Sequence, residues 1–472
     1  MNIRFLIAVV ATAIALTGTP AQAGIRKSIA DLSPAELQSL RNGYAQMITW
    51  NSAPRNSPEF HRSLLFWANM HAYFGQSCAG GFDPNTPGMS GITTQTPTTP
   101  EEFATWCTCE HQSIHFLTWH RMYVYFFEQV LRSAANDNNL TLPYWDYESD
   151  GHIPEAFRAP TYVNGSGQTV SNPLYVSNRQ AQLNAGTGIL FAGVTSTSSA
   201  NQLTTYPDYN SSLEQTPHGS VHCATGVAGC QTGYMGAVPA AGNDPIFYTH
   251  HANIDRLYDC WLAVSPNARA PAVALRNQSF SFIDGQGTQV SRTVDSMMTS
   301  QQLGVSYTNG GGCPLRIRIP RVPLPIPIPW WRFVPHGPLT SDTPVTLPSA
   351  QVARALRAKT ALLVISNPQV ETSPTGLVEV MLQGENGKSV SLGVLNAFNQ
   401  SAPEHHHDTK ATPHEIRFDV RDALRQVGAG ARVLVRPVAG VVATGKTGMA
   451  MELDIRNKPA ALRISEIRIE AR

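Results

Sequence analysis

Three stretches of the chain are rich in histidine: HQSIHFLTWHR at 111–121, PHGSVH at 217–222 and NDPIFYTHHANIDR at 243–256. His218 and His222 are four residues apart, so a helix places both rings on one face, where they can chelate one ion. His111 and His120 are nine residues apart, about 2.5 helical turns. They can share an ion only if His111 lies in a loop and His120 lies near the start of the following helix.

A further histidine, His71, ends the apolar helical run LFWANMH at 65–71 and can project from a packed helix. The chain thus offers two sets of three imidazoles, although periodicity alone does not choose between the neighbours His250 and His251. Imidazole suits copper, zinc and iron. The histidine stretches contain no Glu-x-x-His pair, which argues against a di-iron carboxylate bundle, and the absence of H-E-x-x-H argues against a zinc hydrolase. Two three-coordinate copper ions can bind dioxygen between them and oxidise electron-rich phenols.

The pattern around the histidines predicts a mainly α-helical core followed by a β-rich region. Helices are expected from a capping box at Ser33, from about 119 to 135, and from Asp244-Pro245 to about 261. Asp255 lies one turn after His251 and is expected to orient a neighbouring ring or Arg256, or to form a plain helix salt link. Short alternating β-branched runs from about 345 onward predict a C-terminal β-sandwich.

We therefore expect four parts in the chain: a signal peptide at 1–23, a helical-bundle dicopper core at 24–265, a middle segment with a Pro-rich linker at 266–341, and a β-sandwich domain at 342–472. The first part combines Arg4, an apolar run at 5–16 and the small-residue site Ala21-Gln22-Ala23. Cleavage near Ala23 predicts a secreted or periplasmic protein.

Charge and cysteine content narrow the function further. The formal net charge is +1 and no acidic or basic tract stands out, so neither nucleic-acid nor membrane binding has electrostatic support. Disulfides are expected in an oxidising compartment, but the seven cysteines are an odd number. One cysteine must be free, pair between chains or have another role.

The histidine stretches, with LPYWD at 142–146, resemble the copper A and copper B motifs of the tyrosinase and catechol oxidase family of type-3 dicopper proteins. The resemblance implies a binuclear site with two copper ions. It assigns copper A to His71, His111 and His120, and copper B to His218, His222 and His251, the second histidine of the adjacent pair.

The same resemblance implies roles for four further residues. Cys109 is similar in position to a cysteine that forms a thioether with the histidine two residues later, here His111; a disulfide from Cys109 is the alternative. Glu214 resembles a glutamate of plant polyphenol oxidases that can accept the proton of the phenol, with a surface helix glutamate as the alternative. Gly219 stands where many efficient monophenolases have Asn, which favours o-diphenols. Val238 corresponds to a gate over copper A, where a valine leaves access open.

The C-terminal strands resemble the β-domain of plant polyphenol oxidases, which covers the active site until it is removed. The sequence thus predicts a polyphenol oxidase that converts o-diphenols to o-quinones and reduces dioxygen to water. Monophenols and o-aminophenols are further candidate substrates. The alternative is a haemocyanin-like dioxygen carrier with the same dicopper site.

Overall fold

The computed structural model of the chain describes residues 24–72, 97–106, 108–308, 331–401, 414–443 and 454–471. Its α-helices, numbered α1 to α16 in order, span Pro34–Thr49, Pro58–His61, Leu64–Ala72, Pro100–Trp106, Phe116–Ala135, Glu155–Arg158, Ala181–Ala185, Ala192–Thr195, Tyr206–Leu213, Ser220–Thr225, Pro245–Ala263, Pro266–Arg269, Val273–Arg276, Ser300–Leu303, Ser349–Arg357 and Arg421–Val427. The predicted signal peptide lies outside the described residues.

The helices begin where the sequence places their caps. The Ser33 hydroxyl accepts from the backbone N–H of Glu36 and the Glu36 carboxylate accepts from that of Ser33, which completes the predicted capping box of α1. The Asp244 carboxylate accepts from the N–H of Ile246 at the start of α11. Between them, α5 begins at Phe116, three residues earlier than the expected 119, so His120 lies in its second turn. The long helices α1, α5 and α11 pack together around a core of large aromatic side chains.

The strands, β1 to β18 in order, span Gly24–Arg26, Thr161–Val163, Thr169–Ser171, Gly188–Leu190, Ser279–Ile283, Gln289–Thr293, Val305–Tyr307, Trp331–Phe333, Val345–Thr346, Ala361–Ser366, Gln369–Thr372, Leu377–Gln383, Ser389–Asn396, Glu415–Asp419, Arg432–Pro437, Val441–Ala443, Ala461–Arg463 and Glu466–Ala471. The C-terminal region holds two four-stranded sheets, in the orders β14-β10-β18-β8 and β13-β12-β15-β9. Their apolar faces contribute to one common core. The expectation of C-terminal sheets is confirmed, but the region also contains α15 and α16.

A buried ionic cluster holds the copper-motif helices together. Asp255 on α11 accepts from Arg121 on α5 at 2.5 Å and from Arg26 on β1 at 3.2 Å. Arg26 also donates to Glu128 of α5 at 2.7 Å. Asp255 thus binds residues remote in sequence, and its expected local contact with Arg256 is not the one the structure shows. Since both arginines are almost fully buried, each charge depends on its partners for compensation.

The C-terminal region is docked onto the helical core through polar and apolar contacts. Strand β16 pairs with β4 of the core. Thr216 donates to the carbonyl of Val394 at 2.6 Å, and Arg417 forms an ion pair with Asp208 at 2.8 Å. A short turn at Phe398–Ser401, between β13 and β14, packs against the core turn at Val238–Asn243. This docking brings a C-terminal segment to the histidine cluster.

Candidate metal centre

The helical core gathers seven histidine rings in its interior. His71 lies in the last turn of α3, His120 in α5, His222 in α10, and His250 and His251 in α11. His111 lies in the loop before α5, and His218 lies in the turn Glu214–Gly219 that joins α9 to α10. The loop position that the spacing requires for His111 is the one observed. All seven residues are buried.

Their metal-ligating atoms form two adjacent groups, and within each group these atoms lie within 4.8 Å of one another. One group is His71, Cys109, His111 and His120, and the other is His218, His222, His250 and His251. The His251 ring stacks on His120 at 4.6 Å and lies 5.0 Å from His218, so it stands between the groups. His250 lies 4.7 Å from His222 and contacts Tyr147 on its other side.

Backbone carbonyls set the tautomers of four of these rings. Nδ1 of each ring lies 2.8–3.0 Å from a carbonyl oxygen: His71 with Val238, His120 with Phe116, His218 with Glu214, and His222 with Met235. A carbonyl can only accept, so Nδ1 must carry the proton and Nε2 must present a lone pair. Orientation of a ligating ring through its second nitrogen is typical of metal-binding histidines.

The opposite nitrogens provide the test of metal fit. Among the described residues, the buried Nε2 atoms of His71, His120, His218, His222 and His251 have no hydrogen-bond partner. Burial lowers the pKa of His71 to about 3 and the pKa values of His120, His218, His222 and His251 well below their usual range, so these rings are neutral. Buried neutral lone pairs without donors are costly unless an ion binds them. An all-imidazole set of this kind fits copper.

Cys109 is the described cysteine that has no disulfide. Its Sγ lies 3.4 Å from Nδ1 of His111, and burial raises the pKa of the thiol. Cys223 and Cys230 form a disulfide, which confirms the expectation of disulfide bonding, and Cys260 is disulfide-bonded as well.

Glu214 is buried beside the second histidine group. Its carboxylate accepts from the N–H of Gln112 at 2.6 Å and from the side-chain amide of Asn399 at 2.8 Å. Burial raises the pKa of Glu214 to about 8, and the negative charge of Glu110 adds to this effect. The helix is not continuous from Glu214 to the following histidine, because Thr216 is extended (φ −146°). The glutamate is thus neither a surface residue nor part of a regular turn.

Gly219 and Val238 lie against the C-terminal region rather than against open solvent. A Cβ at Gly219 would lie 2.6 Å from Oδ1 of Asn396. The Val238 side chain is buried, and its carbonyl accepts from His71.

The C-terminal residue that reaches the histidine groups is Phe398, which sequence reasoning did not single out. Its ring stacks on His222 with 4.1 Å between centroids and an interplanar angle of 13°, and it stands edge-on to His218 at 5.7 Å. Phe398 is fully buried. A lone phenylalanine after a strand has no periodicity that reveals such a contact, so no pattern in the sequence indicated it.

Comparisons with known proteins agree with the site. Residues 66–207 and 171–264 match the family model "Common central domain of tyrosinase". The tyrosinase HcTyr1 of Hahella sp. (strain CCB-MM4) is 28% identical over 380 residues, 68% of this chain and 76% of that protein. Catechol oxidase B, chloroplastic, of Solanum tuberosum is 31% identical over 287 residues, 52% of this chain and 45% of the potato protein. The chain thus matches about half the length of this plant relative.

Solved structures extend the likeness to the whole fold. Latent apple tyrosinase superposes with a TM-score of 0.59 at 18% identity, covering 96% of this chain and 98% of that one. Deoxygenated hemocyanin from Rapana thomasiana gives 0.53 at 16% identity, covering 94% and 99%.

The fold and the site define a type-3 copper protein, with two groups of buried imidazoles suited to two copper ions. The chain belongs to the tyrosinase family of type-3 copper enzymes.

Proposed function

We propose that the protein oxidises o-diphenols to o-quinones with reduction of dioxygen to water. The observation that carries the proposal is the set of buried, neutral histidine rings whose Nε2 atoms converge without protein partners. His71, His111 and His120 hold copper A, and His218, His222 and His251 hold copper B. When bound, the copper pair supplies the electron transfer to dioxygen.

The remaining residues bind and orient the phenol and move its proton. The Glu214 carboxylate accepts from Asn399, the residue that follows Phe398, so Glu214 is our candidate to take the hydroxyl proton once the segment has left. Gly219 adds no side chain over copper B, which favours o-diphenols over monophenols and o-aminophenols. Val238 positions His71 through its carbonyl. The 3.4 Å approach of Cys109 to His111 supports a thioether between them.

The C-terminal region, which we propose to be a β-sandwich domain at 342–472, keeps the site closed. The Phe398 ring covers the face of His222 on which a phenol ring would stack. The Asn399 side chain donates a hydrogen bond to the Glu214 carboxylate that would take the proton. The closed chain is thus expected to be latent. Among the described residues no helix is long and apolar enough to cross a membrane. Secretion after signal-peptide cleavage stays a proposal.

Oxygen uptake by the copper-loaded full chain tests this function. Phe398→Ala removes a fully buried ring and leaves a ring-sized cavity over His222, which a free catechol can fill, as small apolar molecules do in engineered cavities. We expect at least tenfold faster uptake with catechol than in the parent chain. The matched control Phe333→Ala changes an exposed ring on β8 and leaves uptake at the parent level.

His218→Ala in the Phe398→Ala chain provides the second control. It should abolish uptake and lower bound copper from two ions per chain toward one. A chain that binds two copper ions and takes up dioxygen reversibly, without consuming catechol, would instead be a haemocyanin-like carrier, in line with the structural likeness to the Rapana protein.

A further inference from the structure

The segment that closes the site is held by its backbone. Four consecutive carbonyls, those of residues 396 to 399, accept hydrogen bonds from three glutamine side chains of the helical core. Gln215 donates to Asn396 at 3.3 Å, Gln231 donates to Ala397 at 2.9 Å and to Phe398 at 3.0 Å, and Gln112 donates to Asn399 at 2.8 Å. We call Gln112, Gln215 and Gln231 the glutamine clasp.

Two residues of the clasp have an uncommon backbone conformation. Gln112 has φ 52° and Gln231 has φ 62°, in the left-handed region that disfavours residues with a Cβ. Among the described residues, the other non-glycine residues with positive φ are asparagines, which tolerate this region better. This conformation is costly for glutamine, because its Cβ crowds the backbone there. A strained backbone conformation of this kind is typical of residues whose side chains have a function. Here the side-chain amides of both glutamines donate to the same peptide segment.

The clasp is uncharged and contacts main-chain atoms, whereas the histidines contact an aromatic ring. Recognition of this type is tolerant of the sequence around the ring but requires peptide carbonyls on both sides of it. We infer that the open site takes peptide-bound catechols, that is, 3,4-dihydroxyphenyl side chains within a polypeptide, in preference to free ones. The inference rests on the proposed function, since it names the substrate class of the same site.

The chemistry is that of the proposed oxidation. Each peptide-bound catechol loses two electrons and two protons and becomes an o-quinone. One dioxygen takes four electrons and four protons from two catechol side chains and gives two water molecules. The peptide chain itself is not cleaved, and the clasp only holds its carbonyls.

The test uses the copper-loaded full chain with Asn396→Ala, which removes the amide that pins the closing segment to Gln215. Its two substrates are 4-methylcatechol and the blocked tripeptide N-acetyl-Gly-(3,4-dihydroxyphenylalanine)-Gly-amide. Each carbonyl hydrogen bond contributes about 1 kcal/mol, so two or more predict a kcat/KM at least tenfold higher for the peptide. Gln231→Leu should lower the ratio of peptide to free-catechol kcat/KM by about tenfold, because this side chain binds two carbonyls. The matched control Gln278→Leu lies on the exposed surface and should leave the ratio unchanged.

A second measurement places the catechol in the segment itself. With Phe398→3,4-dihydroxyphenylalanine in the full chain, mass spectrometry should show loss of two hydrogens at position 398 on addition of copper and dioxygen, at a rate independent of protein concentration. If 4-methylcatechol is oxidised but the ratio of peptide to free-catechol kcat/KM is one or less, the inference is overturned while the proposed function stands. The same holds if 4-methylcatechol is oxidised but the 3,4-dihydroxyphenylalanine at position 398 is not. Oxidation of neither substrate by the Asn396→Ala and Phe398→Ala chains overturns the proposed function as well.

Discussion

Gly219→Ala should open the site, because the space above Gly219 is filled by the C-terminal region. A Cβ there would lie 2.6 Å from Oδ1, 2.9 Å from Nδ2 and 3.0 Å from Cγ of Asn396. Contacts below 3.0 Å force a shift, and the Asn396 amide cannot turn away freely. It donates to the carbonyl of Gln215 at 2.6 Å and accepts from the N–H of Phe398 at 3.0 Å, and the residue is 6% exposed.

The Asn396 amide donates two hydrogen bonds to the helical core, to the Gln215 carbonyl at 2.6 Å and to the Ser220 hydroxyl at 3.3 Å, and their loss gives the magnitude. At about 1 kcal/mol each, docking weakens by about 2 kcal/mol, which raises the fraction of open chains about 30-fold. Two assays on the copper-loaded full chain measure this change: the initial rate of oxygen uptake with catechol, and hydrogen exchange of residues 396–401, which does not depend on activity. The matched control is Gly165→Ala, since a Cβ at that exposed position meets nothing within 4 Å.

A double-mutant cycle isolates the contact. In an Asn396→Gly chain the amide is absent, so Gly219→Ala should then have little further effect on uptake or on exchange. The reasoning would be refuted if Gly219→Ala left both the exchange of 396–401 and the uptake at the parent level. It would also be refuted if the alanine had the same effect with and without the Asn396 side chain.

Two further predictions concern the buried charges and the interface. Asp255→Asn leaves Arg121 and Arg26 without their shared carboxylate. It should lower the free energy of unfolding by about 3–5 kcal/mol at pH 7, measured by denaturant titration. Since these arginines hold the pKa of Asp255 below its usual range, this stabilisation is present above pH ~4 and is lost as the pH falls further. Burial lowers the pKa of His414, whose ring contacts Ser211 of the core at 3.3 Å, to about 4. A histidine whose pKa is depressed in the docked state opposes docking once the pH falls below ~6.5. The protection factors of the interface amides, which correct for the slower intrinsic exchange at low pH, should therefore fall between pH ~6.5 and ~4, and should fall less in a His414→Asn chain. An equal fall in both chains would contradict the assignment.

Local patterns sufficed for the starts of the helices and for the loop position of His111. Ser33 and Asp244 cap the helices that follow them, because capping needs only residues within one turn. The placement of His111 in a loop followed from the mismatch between its spacing and 3.6 residues per turn. Both inferences use only residues that lie within a few positions of one another in the sequence.

Contacts between distant residues could not be read in this way. Asp255 offered local partners, yet it binds Arg121 and Arg26, which are 134 and 229 residues away. Phe398 reaches His222 because the C-terminal region packs Leu377, Val394, Phe398 and Val438 into the hydrophobic cluster of the helical core. Neither contact leaves a periodic pattern in the sequence, because both depend on how distant parts of the folded chain pack together.

Under the proposed function, closure and catalysis use the same groups. Phe398 takes the ring position, Asn399 takes the acceptor that the phenol needs, and burial keeps the pKa of Glu214 near 8 while the segment is docked. Departure of the segment exposes the ring face of His222, the Glu214 carboxylate and the glutamine clasp together. Each of these groups then lacks the partner that it has in the closed state. A ligand with a catechol ring, a hydroxyl proton and flanking carbonyls replaces all three kinds of contact at once. A free catechol replaces only the first two, so the peptide-bound substrate gains its advantage from the same contacts that hold the closed state.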